Sequence, residues 1–188
     1  MSEVNLRRGF KSWAEQQAIT FRETLDIHPC APLAAARLAQ HLDVPIINPS
    51  HVPDMPIHHM KQLLEIDQWS WSGVTIVYED AMLIIKNSSH PLGRQESDVM
   101  HELSHVICKH AAARVVQHPS LPLAQREYDV AQEKEAAWLG SCLQLPRSAL
   151  SWAVKRRMSH ANIAEHFGAT EDMVSYRRRM TGVDKIRL

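Results

Sequence analysis

The chain has 188 residues, enough for one well-packed core with a small appendage. Its 21 Lys and Arg balance its 21 Asp and Glu, so no global charge directs it to nucleic acid or to acidic partners. No apolar run reaches the length of a membrane span and the first residues lack an apolar signal core, so a cytoplasmic, membrane-free location is expected.

Leu6 to Leu25 reads as a helix, with Phe10, Trp13, Ala14, Ile19, Phe21 and Leu25 partly periodic. Pro32 to Leu42 reads as a second helix, with proline near its first turn. Pro45 to Pro56 carries four prolines and reads as a loop, and Ile57 to Ile66 as a short helix. The period then changes. Gly73–Tyr78 and Ala81–Lys86 are β-rich runs, and Glu79-Asp80 between them suits a tight hairpin. After Asn87 to Arg94 comes a helical stretch with Ser97 or Asp98 as its expected cap. A Pro-containing loop from Gln117 to Leu123 leads to a long helix from Tyr128 to about Leu143, closed by Pro146. Short helices finish the chain. Cys30, Cys108 and Cys142 are scattered without a Cys-x-x-Cys pair, which fits free thiols in a reducing compartment; Cys108 reads as core.

Residues 101–105 are His-Glu-Leu-Ser-His. On a helix, positions four apart share a face, so His101 and His105 offer two imidazoles to one metal ion. Glu102 lies roughly 100° round and can polarise a water beside that ion. This is the zinc-hydrolase pattern of two ligands and a general base. Val99, Met100, Leu103, Val106 and Ile107 make the helix half-buried.

Zinc in a hydrolase usually takes three protein ligands. An extended His-x-x-Gly-x-x-His version fails, since Cys108 and Ala111 stand where Gly and His would be needed. His110 is five residues past His105 and, on a continuous helix, points roughly 140° away, which reads as a solvated or capping histidine. The remaining candidates are Glu133 and Glu135 on the long helix, about 200° apart, so that only one can face the metal. Small Ala136 and Ala137 let the two helices approach closely. His90, His110, His118 and Tyr128 are candidates for an oxyanion donor, none singled out by spacing. Ala81–Lys86, just before the motif helix, is expected to be an edge strand to which an extended substrate adds.

The motif, followed by Glu133-Lys134-Glu135-Ala136-Ala137-Trp138 and on to Leu145-Pro146, resembles the ImmA/IrrE family of metallo-endopeptidases. Trp71 to Ile76, Asn87 and Arg94 are also similar to it, so the likeness spans roughly Trp69 to Gly182. The resemblance implies that His101, His105 and Glu133 are the metal ligands and Glu102 the catalytic base. Zinc is the implied ion, and the donor set also accepts manganese. Four positions depart from the family pattern: Ser104 replaces the usual Gly, Ala137 stands in place of Asn or Asp, and Leu139-Gly140 replaces Phe-Ala.

His160 to Arg179 resembles a helix-turn-helix, with Gly168 in the turn and Thr170 as cap. From Lys155 onward eight Lys and Arg face four Asp and Glu, which raises DNA contact through Arg177, Arg178 and Arg179. The favoured reading is a helical unit packed on the catalytic part. The expected fold is therefore α+β and mostly helical, with a small antiparallel sheet, a zincin-like motif helix and a C-terminal helix-turn-helix-like unit. Residues 1–150 are expected to form the zinc metallopeptidase domain and 151–188 the unit packed on it. The resemblance implies a protein substrate such as a helix-turn-helix transcriptional repressor linked to stress or mobile elements. The alternatives are a DNA-binding regulator with a structural metal and a toxin–antitoxin-type binding partner.

Overall fold

The computed structural model of the chain describes residues 6–78, 81–111, 115–116, 125–126 and 129–185. The Glu79-Asp80 turn, the whole Gln117 to Leu123 loop with His118, and Tyr128 lie outside the described residues. The described helices are α1 (Phe10–Thr24), α2 (Ala35–His41), α3 (Ile57–Lys61), α4 (Leu92–Cys108), α5 (Val130–Gln144), α6 (Arg147–Lys155), α7 (His160–Phe167) and α8 (Glu171–Thr181). The strands are β1 (Ile46–Ile47), β2 (Gly73–Tyr78), β3 (Ala81–Lys86), β4 (Val115–Val116) and β5 (Gln125–Arg126). The fold is mostly helical α+β, as expected. Among the described residues no helix is long and apolar enough to cross a membrane.

The β2–β3 hairpin pairs antiparallel from Gly73 opposite Lys86 to Tyr78 opposite Ala81. The proline-rich segment contributes a strand that its composition did not announce. Ile46 and Ile47 pair in parallel with Ile84 and Ile85, so the three-stranded sheet is mixed and ordered β1-β3-β2. This order corrects the edge assignment: β3 is central, and β1 and β2 are the edge strands.

The core forms where α1, α4 and α5 meet. Phe10, Ala14 and Ala18 of α1, Val99, Met100 and Leu103 of α4, and Leu139, Cys142 and Leu143 of α5 are buried together with Ile84. The approach of α4 to α5 is very close. A Cβ on Gly140 would lie 3.1 Å from the Met100 carbonyl oxygen and 3.2 Å from the His101 nitrogen. Arg22 is buried at the far end of α5, donating to the carbonyls of Ala18, Ala31 and Gln144. There a cation meets a helix C-terminus, and burial lowers its pKa to about 10.

Helix α4 begins at Leu92, a turn and more before the expected Ser97 or Asp98 cap, with Pro91 in the cap position. The extra turn has a packing partner. A Cβ on Gly93 would fall 2.7 Å from the Ala169 carbonyl oxygen in the α7–α8 turn. Ser97 donates to Gln144 Oε1, and Gln144 Nε2 donates to the Gly168 carbonyl. Pro146 caps α6 immediately after α5 ends.

A second apolar cluster, from Leu145 through Leu150, Ile163 and Phe167 to Val174 and Val183, holds α6, α7 and α8 together. Ser159 and Thr170 cap α7 and α8 through their hydroxyls, and Gly168 ends α7 in the left-handed region at φ 62°. Arg177 is fully buried, donating from Nε to the Leu145 carbonyl at 2.9 Å and from Nη2 to Glu15 of α1. Glu15 also accepts from the Arg147 backbone nitrogen at 2.9 Å. Arg177 therefore has no access to a nucleic acid, and Arg178 is ion-paired with Asp184.

Replacing Gly140 by Val should push α4 from α5 and destabilise the chain by about 1–3 kcal/mol, the usual scale of overpacking. Thermal denaturation followed by circular dichroism reads the loss; an unchanged melting temperature would show that the helices are not in tight apposition there.

Candidate metal centre

The α4–α5 contact brings three donor atoms to one point. His101 Nε2 and His105 Nε2 are 3.1 Å apart, one turn of α4 from each other. Glu133, in the first turn of α5, places Oε2 3.2 Å from His101 Nε2 and Oε1 3.6 Å from His105 Nε2. Asp129 caps α5 by accepting from the backbone nitrogens of Ala131 and Gln132, which fixes the turn that carries Glu133.

These separations suit a divalent cation. Ligands at about 2.0–2.1 Å on tetrahedral zinc stand roughly 3.3–3.4 Å from each other along an edge. Two imidazole nitrogens 3.1 Å apart share at most one proton between them, and a cation facing both lone pairs relieves that conflict. The donor set is two imidazoles and a carboxylate, borderline in softness and matched to zinc or manganese.

Glu102 is 8% exposed and faces the sheet. It accepts a 2.6 Å hydrogen bond from Thr75 Oγ1 on β2. Gly73, two residues earlier on the same face of β2, makes room for it, since a Cβ there would lie 3.2 Å from Glu102 Cγ. Thr75 was not foreseen, because a threonine inside a strand reads as ordinary β composition. Ser104 occupies the family's Gly position without strain: it is fully buried and its hydroxyl donates to the Met100 carbonyl at 2.7 Å. Ala137 is on the exposed side of α5.

His110 is where the sequence reading fails. Its side chain is 6% exposed, not solvated. The physical reason is the end of α4: Lys109 adopts φ 54°, in the left-handed region. The Lys109 nitrogen then donates to the Val106 carbonyl and the His110 nitrogen to the His105 carbonyl, closing a Schellman turn. The chain doubles back, and His110 Nδ1 ends 3.0 Å from His105 Nδ1. Its Nε2 is 3.2 Å from Glu135 Oε2. Glu135 is thus no rival to Glu133: it looks toward His110 and pairs with Arg7 Nε at 2.8 Å. Cys108 packs beside the main core, and burial followed by the nearby Glu135 raises its thiol to about 11.

His90 is also accounted for elsewhere. It is buried, with Nδ1 3.1 Å from Asp98 and Nε2 2.8 Å from the Gln68 carbonyl, and it stacks on Trp69. Asn87 donates to the same Gln68 carbonyl and to that of Trp71, so the pair fastens the segment leading into β2 rather than serving an oxyanion.

Residues 59–179, well over half of the chain, match the family Peptidase_M78, described as the IrrE N-terminal-like domain. Comparison with curated proteins gives no match.

Thr75→Val should leave the buried Glu102 carboxylate short of a donor and cost about 1–3 kcal/mol in urea denaturation. Thr75→Ser, which keeps the hydroxyl, should recover most of that loss. Equal stability of the Val and wild-type chains would mean that the bond carries no weight.

Proposed function

The chain belongs to the Peptidase_M78 family, and from that premise we propose that it is a zinc-dependent endopeptidase acting on a specific protein. The observation that carries this reading is the convergence of His101, His105 and Glu133 from two helices, with Glu102 next in sequence to the first ligand. His101, His105 and Glu133 hold the ion. Zinc bound there supplies a Lewis acid for the peptide carbonyl and lowers the pKa of water.

Glu102 takes the proton from the attacking water and delivers it to the leaving amine. Thr75 holds the carboxylate of Glu102 in place for both transfers. The substrate lies extended along β2, the edge of the sheet next to α4, and adds to it as a further strand. Ile76 and Val77 on that strand are each 42% exposed and offer it apolar contacts.

The substrate class that the resemblance supports is a helix-turn-helix transcriptional repressor. Of the three arginines raised for DNA contact, Arg177 is buried and Arg178 is paired with Asp184, which leaves Arg179 as the exposed member and weakens a DNA-binding alternative. Residues 151–188 act as a helical unit docked on the peptidase part, through Gln144, Gly168 and the Glu15–Arg177 pair.

Incubating the zinc-loaded chain with the product of an adjacent repressor gene should yield discrete fragments whose new N-termini identify the cleaved bond. Glu102→Gln should keep its metal and lose about 10²–10⁴-fold in cleavage, the range of general acid–base contributions. His105→Ala should lose the metal itself, read by elemental analysis after dialysis. Full cleavage by the Glu102→Gln protein would overturn the assignment.

A further inference from the structure

Beyond the three donors, a chain of polar contacts runs outward from the metal centre. It passes from His105 Nδ1 to His110 Nδ1 at 3.0 Å, and from His110 Nε2 to Glu135 Oε2 at 3.2 Å. It ends on Arg7, whose Nε is 2.8 Å from Glu135 Oε1. The inner members are shielded from solvent, with the side chains of His110 and Glu135 6% and 11% exposed.

A neutral imidazole carries one proton, on one nitrogen or the other. The Glu135 carboxylate, ion-paired with Arg7, can only accept, so its contact with His110 is a hydrogen bond when His110 presents its proton at Nε2. His110 Nδ1 is then a lone pair. The contact with His105 becomes a hydrogen bond only when His105 donates from its own Nδ1. That leaves the lone pair of His105 on Nε2, the nitrogen that faces His101 and Glu133.

We infer that His110 and Glu135 are positioning residues that set the tautomer and orientation of His105 for metal binding. The inference rests on the metal reading above and deepens it. Cys108, His110 and Glu135 also cluster within 4.8 Å as a second set of metal-ligating type. Arg7 on Glu135 offsets the carboxylate charge that an ion there would draw on. An ion on His110 Nε2 would also leave that ring's proton on Nδ1, opposing the proton on His105.

The test has two arms. Nitrogen-15 spectra of the metal-free wild-type chain, at a pH where both rings are neutral, should show Nδ1–H at His105 and Nε2–H at His110; the reverse pair of tautomers overturns the inference whether or not metal binds. Chelator competition should then show zinc affinity falling about 10–100-fold in His110→Phe, the usual scale for losing such a partner. His110→Asn, whose side-chain oxygen stands near the former Nδ1, should recover most of it. Cobalt-loaded Phe and wild-type chains should differ in their visible absorption. Unchanged zinc affinity in His110→Phe overturns the inference and leaves the metal site standing. A wild-type chain that binds no zinc defeats the metal reading instead, and the tautomers still decide this one. Two bound zinc ions per chain would reassign His110 as a ligand and overturn it.

Discussion

The apposition of α4 and α5 is the constraint on which the rest depends. An imidazole pair on one helix needs a carboxylate from another, and side chains of that length reach a common point only when the backbones nearly touch. Gly140 permits this, since a Cβ there would crowd the Met100 carbonyl and the His101 nitrogen. The contact therefore falls on the first histidine of the motif, and Glu133, two turns earlier on α5, comes level with the imidazoles. The surrounding core of Leu103, Leu139 and Leu143 is fully buried and interdigitated, so the helix pair resists sliding.

Around that contact the carboxylates have separate partners, and the separation follows from periodicity. Glu133 and Glu135 point to different sides of α5, and each finds a histidine: Glu133 meets His101 and His105, Glu135 meets His110. Glu102 points from α4 to the sheet and finds Thr75. Glu15 is remote from all of these and serves the fold by joining α1, α6 and α8. A carboxylate that is to take up a proton must keep a lone pair for it; Glu102, whose Oε2 accepts from Thr75, is arranged differently from Glu135, which meets an arginine and a histidine.

Much of this was legible from residue order. The β2 and β3 runs were read with their observed bounds because hairpin strands signal locally through β-branched residues. Four-residue spacing puts His101 and His105 on one face, but it leaves Glu133 and Glu135 open, and the choice of Glu133 comes from the family resemblance; the structure brings Glu133 to the two histidines. What failed was non-local or hidden in backbone torsions. The pairing of Ile46–Ile47 with β3 spans almost forty residues, and the prolines around it mask it. The reversal at Lys109 needed a left-handed residue where no glycine stands, so a continuous-helix wheel sent His110 into solvent. Arg177 looked like a surface cation because its run of three arginines gives no sign of Glu15, 162 positions away.

In the proposed mechanism, strand β2 links the chemistry to recognition. Its residues alternate in direction, so Gly73 and Thr75 share the face that receives Glu102. Its backbone on the side away from β3 is one edge of the sheet. An extended peptide pairing with that edge would be aligned by the same strand that holds the general base, so the scissile carbonyl and Glu102 would share one frame of reference. Had β3 been the edge, the substrate would have been two strand spacings, roughly 9.6 Å, from the strand that carries Thr75, instead of one. With the order β1-β3-β2, a short distance between such a peptide and Glu102 would be a property of sheet topology, with no mobile loop needed to create it.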